Sequence, residues 1–305
     1  MSEEEGQRSK ISPAQWAVVA LVVASFGGAL LYRFLRHEQL DHSAAMFLGI
    51  PAVLAIVLAL TPKAKSVTGG ILKGITLALL IIAPLLGEGY LCILIASPLF
   101  YLIGIVIGLI VDWTQRKRSA TLSCIALVLA PMCLEGVVPQ LTWNRAQTIE
   151  VSRVVNAPAS DVENSLSRSP RLQTELPFYL RIGFPRPLEA HGQGLYVGAS
   201  RTIHFAGAEG DPPGDLLMRV SESAPGFVRF DTVSDRSKLT QWLRWDSSEV
   251  RWFAMDSAHT KVVWRIRFER QLDPAWYFIP WERAAVREAA SFLIDANATP
   301  DGTAQ

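Results

Sequence analysis

Residues 260–272 read TKVVWRIRFERQL, a stretch in which apolar and polar side chains alternate. One side of an extended chain carries the apolar residues Val262, Trp264, Ile266 and Phe268. The other side is mostly charged. Because successive side chains of a strand point to opposite faces, this alternation predicts a strand with one buried and one hydrated face.

The sequence around this strand predicts a curved antiparallel sheet that grips one long helix. Further strands are expected at 148–155, 194–206, 215–222, 227–234 and 248–256, with short helices after Pro158 and around 170–180. The final helix is predicted over 280–297, since Pro280 suits the first helical position. The residues on one stripe of that helix are Trp281, Ala285, Ala289, Phe292, Leu293 and Ala296, with Glu282 placed away from it. A sheet and helix arranged in this way often enclose a cavity.

The N-terminal part of the chain differs sharply, because it is dominated by long apolar runs. Crossing a bilayer takes about 20 helical residues. Five runs approach this length, at 14–35, 44–60, 70–86, 90–111 and 120–138. The predicted organisation is therefore a polar tail (1–13), a multi-pass transmembrane region (14–143), an α+β domain (144–297) and a disordered tail (298–305).

Lysine and arginine in the short loops predict the orientation of these spans. Basic residues gather near the N-terminus, at 63–73 and at 116–118, which would share one side of the membrane. Cytoplasmic loops carry such an excess. With five spans, the N-terminus is cytoplasmic and the C-terminal domain is extracytoplasmic, at the inner (plasma) membrane.

Two spans end in the same pattern, A-P-x-x-x-E-G, which contains Glu88 in one case and Glu135 in the other. Acidic groups at membrane depth are costly and often mark ion or substrate paths. Equally, each glutamate can simply end a helix at the level of the headgroups. The second interpretation is favoured, because both residues lie near span ends.

Charge and cysteine content exclude several classes of protein. The formal net charge is +1, so there is no basic surface of the kind that nucleic-acid binding requires. All three cysteines lie in apolar runs, which excludes a disulfide framework or a paired-cysteine zinc site. The sequence predicts no metal, no cofactor and no catalytic residue, because it contains none of the motifs that hold phosphate, metal or an activated nucleophile.

The C-terminal part resembles the START-like SRPBCC superfamily, particularly its polyketide cyclase/dehydrase and lipid-transport branches. The resemblance covers about 148–297 and rests on VSRVVNAP (151–158), VGASR (197–201) and TKVVW (260–264), together with the junction LDPAWYFIP (272–280). It implies a helix-grip fold with a hydrophobic ligand cavity. It implies no particular reaction, because this scaffold serves carriers, receptors and cyclases.

Arg201 is the most informative candidate site residue. Alternation from Leu195 to Phe205 places it on an otherwise apolar face, where an unpaired guanidinium is costly. It either orients the polar head of a ligand or pairs with a structural carboxylate, unless a bulge turns it outward.

Aromatic residues complete the predicted ligand site. The candidates for the cavity lining are Trp252, Trp264, Phe268, Trp281 and Phe292, for which ordinary core packing is the alternative. Trp242, Trp245, Trp276 and Tyr277 are expected near the junction with the last helix, where they either rest on the membrane interface or form a hydrophobic latch.

The leading functional hypothesis is a membrane-anchored module that binds a lipid or another hydrophobic small molecule. The expected partners are the lipid bilayer and that small molecule, with no nucleic acid. The alternatives are a cyclase or dehydratase acting on a hydrophobic substrate and a structural interaction domain of the cell envelope. Binding is favoured over catalysis, since His204 points away from the cavity and no other general base is evident.

Overall fold

The computed structural model describes residues 12–35, 50–62, 64–86, 90–114, 135–170, 172, 177, 185–207 and 212–299. The chain divides into two compact units, Met1–Leu129 and Ala130–Gln305.

The described part of the first unit consists of four helices: α1 (Pro13–Leu35), α2 (Ile50–Leu60), α3 (Val67–Leu86) and α4 (Tyr90–Thr114). Among the described residues, one helical stretch, Ile93–Trp113, is long and apolar enough to cross a membrane, and the other apolar stretches are shorter. The structure therefore does not support the expected count of five spans. Most of the fifth predicted span, 120–138, lies outside the described residues, as does Glu88.

Helices α3 and α4 meet closely at one end. A Cβ atom at Gly108 of α4 would lie only 2.6 Å from the Cα of Thr68 in α3, so this contact requires glycine. Asp112 of α4 accepts hydrogen bonds from the backbone N–H groups of Val67 and Thr68, at 3.0 and 3.2 Å. It thereby caps α3, because the first N–H groups of a helix have no partner within the helix.

The second unit contains a seven-stranded antiparallel sheet in the order β1-β7-β6-β5-β4-β3-β2. Its strands are β1 (Ala146–Val155), β2 (Pro187–His191), β3 (Ser200–Phe205), β4 (Gly214–Ala224), β5 (Phe227–Asp235), β6 (Leu243–Ala254) and β7 (Thr260–Arg270). Short 3-10 helices lie at Pro139–Leu141 and Lys238–Gln241. Two helices complete the unit: α5 (Ala159–Ser167) and α6 (Ala275–Ala298).

The alternation predicted for residues 260–272 is confirmed in β7. Val262, Trp264, Ile266 and Phe268 are all buried in the main hydrophobic core. The strand lies between β1 and β6, with Trp264 opposite Val151 on one side. This curled antiparallel sheet, with α6 packed on β1 and β7, fits the helix-grip fold.

Helix α6 begins five residues before the predicted start, since Pro280 lies within the helix rather than at its first position. Most of the predicted stripe faces the core: Phe292 and Ala296 are buried, and Ala289 and Leu293 pack against the core. Two positions depart from the prediction. Trp281 is 50% exposed, whereas Glu282 is only 5% exposed and lies in line with the buried residues Phe278, Val286, Ala290 and Ile294.

The strands near residue 194 also differ from the prediction. Strand β3 begins at Ser200 rather than residue 194, because Gly194 and Gly198 adopt positive φ angles of 92° and 95° that interrupt the extended chain. Strand β2 was not predicted. It begins at Pro187 and lies at the edge of the sheet, where proline is tolerated.

Candidate functional site

A cavity lies between α6 and the face of the sheet that the helix covers. The room inside it for water-sized molecules is about 110 Å³. The described lining residues include Arg201, Ile203, Phe205, Leu216, Met218, Phe230, Leu243, Trp245, Ser248, Trp264, Ala285, Val286, Ala289, Phe292, Leu293 and Asn297. Most of these side chains are apolar. The shape and lining suit a hydrophobic ligand.

Arg201 brings a positive charge to this apolar wall. The residue is 6% exposed, and burial lowers the pKa of its guanidinium to about 10. Its Nη2 donates to the carbonyl of Leu166, and its Nη1 lies 3.4 Å from Oδ1 of Asn297. The guanidinium carbon lies 4.7 Å from the centroid of the Phe230 ring, and Nε has no hydrogen-bond partner.

The surroundings of Arg201 bear on the two alternatives that the sequence left open. The alternation of β3 holds at this residue, so no bulge turns Arg201 outward. Its described hydrogen-bond partners are uncharged, and burial alone accounts for its lowered pKa. Within the described residues, the guanidinium thus lacks a carboxylate counter-charge.

The aromatic residues predicted to line the cavity lie in three different environments: the cavity wall, the core and the partly exposed surface. Trp264 and Phe292 line the cavity together with Arg201. Trp252 and Phe268 are buried in the core of the second unit but are not among the described lining residues. Trp281 is half-exposed and is not among the described lining residues.

Two tryptophans expected at an exposed junction are buried instead. Trp242 and Trp245 are each 8% exposed, and Trp245 lines the cavity. Strand β6 begins at Leu243 rather than at the predicted residue 248, which places Trp245 inside the sheet. Trp276, in the first turn of α6, is 47% exposed.

The sequence analysis missed Trp245, Ser248, Phe230 and Asn297 as lining residues. Trp245 and Ser248 both reach the cavity because the register of β6 shifts between Trp245 and Ser247, an irregularity that simple alternation does not predict. Trp245 Nε1 donates to the Ser248 hydroxyl at 3.3 Å. Asn297 could have been found by extending the stripe of the last helix by one residue beyond Ala296.

A buried ionic cluster lies where β7 leads into α6. Arg270 is fully buried and donates to Glu135 at 3.1 Å, to the Trp143 carbonyl at 2.9 Å, and to Asp273. Glu135 also accepts a hydrogen bond of 3.1 Å from the backbone N–H of Ala275. It therefore caps α6 as well as neutralising Arg270. This role is structural, and the predicted helix that Glu135 would end lies mostly outside the described residues.

Glu282 lies near this cluster, and neither carboxylate oxygen has a hydrogen-bond partner of standard geometry among the described residues. Burial raises the pKa of its carboxyl from 4.5 to about 7. The backbone N–H of Leu272 and the positive charges of Arg270 and Arg145 oppose this shift only in part. Asp273 acts in the same direction as burial. The group is therefore close to half-protonated at neutral pH.

Three described histidines pair with carboxylates on the surface, the first being His191 with Glu189 at 3.2 Å. His204 bonds to Asp215 at 2.6 Å, and His259 bonds to Asp256 at 2.9 Å. None of the three histidines is among the described lining residues. In the part of the chain that the structure describes, no group of His, Cys, Asp or Glu side chains is arranged to hold a metal ion.

Comparison with known proteins gives likenesses to solved structures over about half of the chain. A START superfamily protein from Mycobacterium smegmatis is 12% identical, with 49% of this chain and 92% of that chain covered and a TM-score of 0.36. Norcoclaurine synthase from Thalictrum flavum, solved with dopamine and hydroxybenzaldehyde, is 16% identical. The match covers 49% of this chain and 85% of that chain, with a TM-score of 0.33. The Zhui aromatase/cyclase from Streptomyces sp. R1128 is 18% identical. The match covers 50% of this chain and 86% of that chain, with a TM-score of 0.29.

No family model matches the chain, and no curated protein matches it. One of the structural neighbours is named as a START superfamily protein, and likenesses of this extent carry no conclusion about the activity or the ligand of this chain.

Proposed function

We propose that this chain is a membrane-anchored module that binds a lipid or another hydrophobic small molecule between its sheet and α6. The observation that carries the proposal is the cavity itself, whose described lining is apolar apart from Arg201, Ser248 and Asn297. Transfer of a hydrocarbon from water to such a lining is favourable by about 25 cal/mol for each Å² buried. Arg201 would then orient the polar end of the ligand.

Anchoring is supported by the outer surfaces of the first unit. Its helices expose large apolar side chains, among them Leu94 (64%) and Leu109 (58%) of α4 and Val53 (59%) of α2. Apolar surface on this scale is unfavourable in water but natural against lipid chains. The helical stretch Ile93–Trp113 is long enough to span the bilayer.

The proposed topology places the N-terminus in the cytoplasm and the second unit on the opposite side of the inner membrane. The basic residues at 116–118 would then be cytoplasmic. Reporter enzymes fused after Arg118 and after Gln305 test this arrangement. The first fusion should report a cytoplasmic position and the second an extracytoplasmic one, whereas the same side for both would refute the topology.

Ligand binding can be tested by filling the cavity. Ala289 lines the cavity, whereas Ala284 is exposed on the same helix. The full-length protein, its Ala289→Phe variant and its Ala284→Phe variant are purified with native lipids, and the extracted small molecules are compared by mass spectrometry.

A ligand of the cavity should be lost from Ala289→Phe and retained by Ala284→Phe, while both variants keep the unfolding temperature of the parent. Identical extracts from the three proteins would contradict the proposal.

The enzymatic alternative has less support from the described lining. A cyclase or dehydratase would need a group that exchanges protons near neutral pH inside the cavity. The ionisable member of the described lining is Arg201, whose pKa of about 10 suits charge stabilisation better than proton transfer. The geometry therefore favours binding.

A further inference from the structure

Among the residues that the structure describes, no carboxylate compensates the charge of Arg201. Its side chain is almost fully buried, its Nε has no partner, and its described acceptors are the Leu166 carbonyl and the Asn297 amide oxygen. Neutral acceptors satisfy hydrogen bonds but leave the net charge of the guanidinium unbalanced. A buried cation without a counter-ion is costly, so this residue is prepared for an anion.

A second donor at the same cavity is also unsatisfied. The indole Nε1 of Trp264 is buried and has no hydrogen-bond partner. The other polar lining groups are already engaged, since Ser248 accepts from Trp245 Nε1 at 3.3 Å and the Asn297 amide nitrogen donates to the Leu293 carbonyl at 2.8 Å. The cavity thus has surplus donors, which calls for acceptor oxygens on the ligand.

We propose that the cavity selects amphiphiles with a monoanionic carboxylate head, which binds to Arg201 while the hydrocarbon part lies along the apolar lining. This inference rests on the proposed binding function and adds the chemical class of the ligand. A carboxylate offers coplanar oxygens that match the guanidinium nitrogens. One buried cation balances one negative charge, whereas the second charge of a phosphate monoester would find no described cation in the lining.

The test compares ligands that differ only in the head. Full-length protein in phosphatidylcholine nanodiscs is equilibrated by dialysis against decanoate, decanol or decyl phosphate, and empty nanodiscs provide the correction for partition into lipid. Decanoate should bind at least roughly tenfold more tightly than decanol, because a hydrogen bond to a charged group is worth that factor or more. Decyl phosphate should bind more weakly than decanoate.

Variants of Arg201 show whether the preference comes from this residue. Arg201→Gln should lose the preference for decanoate over decanol, and Arg201→Lys should retain part of it. Arg219→Gln is the matched control, because Arg219 is exposed on the neighbouring strand β4. It removes the same charge and should leave the preference intact.

The outcomes separate this inference from the proposed function. Equal binding of decanoate and decanol, or tighter binding of decyl phosphate, would overturn the carboxylate assignment and leave the hydrophobic cavity standing. No binding of any probe would count against the binding function itself. An unchanged preference in a folded Arg201→Gln protein would show that another group selects the head.

Discussion

Replacing Glu282 by glutamine should stabilise the second unit at neutral and alkaline pH. The parent carboxyl is 5% exposed, its oxygens lack hydrogen-bond partners of standard geometry among the described residues, and burial raises its pKa from 4.5 to about 7. Between these two pH values, the folded state therefore keeps a proton on Glu282 that the unfolded state has released. The contribution to stability is complete below about pH 4.5 and is lost as the pH rises through about 7.

The magnitude follows from the size of the shift. Each pKa unit corresponds to about 1.4 kcal/mol, so ionising Glu282 in the folded protein costs on the order of 3 kcal/mol by pH 8. Glutamine has nearly the same shape and carries no charge. The free energy of unfolding of Glu282→Gln should therefore match that of the parent near pH 5 and exceed it by up to about 3 kcal/mol at pH 8.

Urea unfolding of the full-length protein in detergent, followed by tryptophan fluorescence, measures this difference. Seven of the nine tryptophans lie at or after residue 143, so the signal reports mainly on the second unit. Glu288→Gln is the control, because Glu288 is exposed on the same helix and its variant should follow the parent at every pH. A constant difference between Glu282→Gln and the parent from pH 5 to pH 8 would refute the reasoning.

Other contacts give predictions of similar kind. Glu135→Gln should lower the free energy of unfolding by about 2 kcal/mol in the same assay, because it weakens both the helix cap and a buried ion pair; no loss would show that Asp273 alone suffices. Thr260→Val should cost about 1 kcal/mol, since the buried hydroxyl donates to the Ala157 carbonyl at 2.7 Å. Gly108→Leu should lower the thermal stability of the first unit, measured by circular dichroism, whereas Gly74→Leu should not, because a Cβ at residue 74 meets nothing within 4 Å; equal effects would contradict the close packing of α3 and α4.

The sheet of the second unit could be predicted from its sequence to the extent that its strands alternate regularly. Strand β7 follows the predicted pattern from Val262 to Phe268, and β4 and β5 lie within a few residues of their predicted bounds. Alternation works there because each strand has one face against the core and one against water. Arg201 was singled out on the same principle.

The remaining features depend on tertiary contacts that have no local signature. The inward position of Trp245 results from a register shift in β6. The burial of Glu282 results from its packing in the second unit and not from the apolar pattern of α6. The pairing of Glu135 with Arg270 spans 135 residues of sequence, so no local periodicity could have revealed it.

The hydrogen bonds of Glu135 have a practical consequence for anyone who wishes to study the sheet apart from the rest of the chain. A shortened protein that starts at Asn144, the boundary that composition suggests, would lack this carboxylate. It would leave the first turn of α6 uncapped and take one counter-charge from Arg270, a fully buried side chain. Expression of a soluble fragment should therefore succeed only with start sites upstream of Glu135.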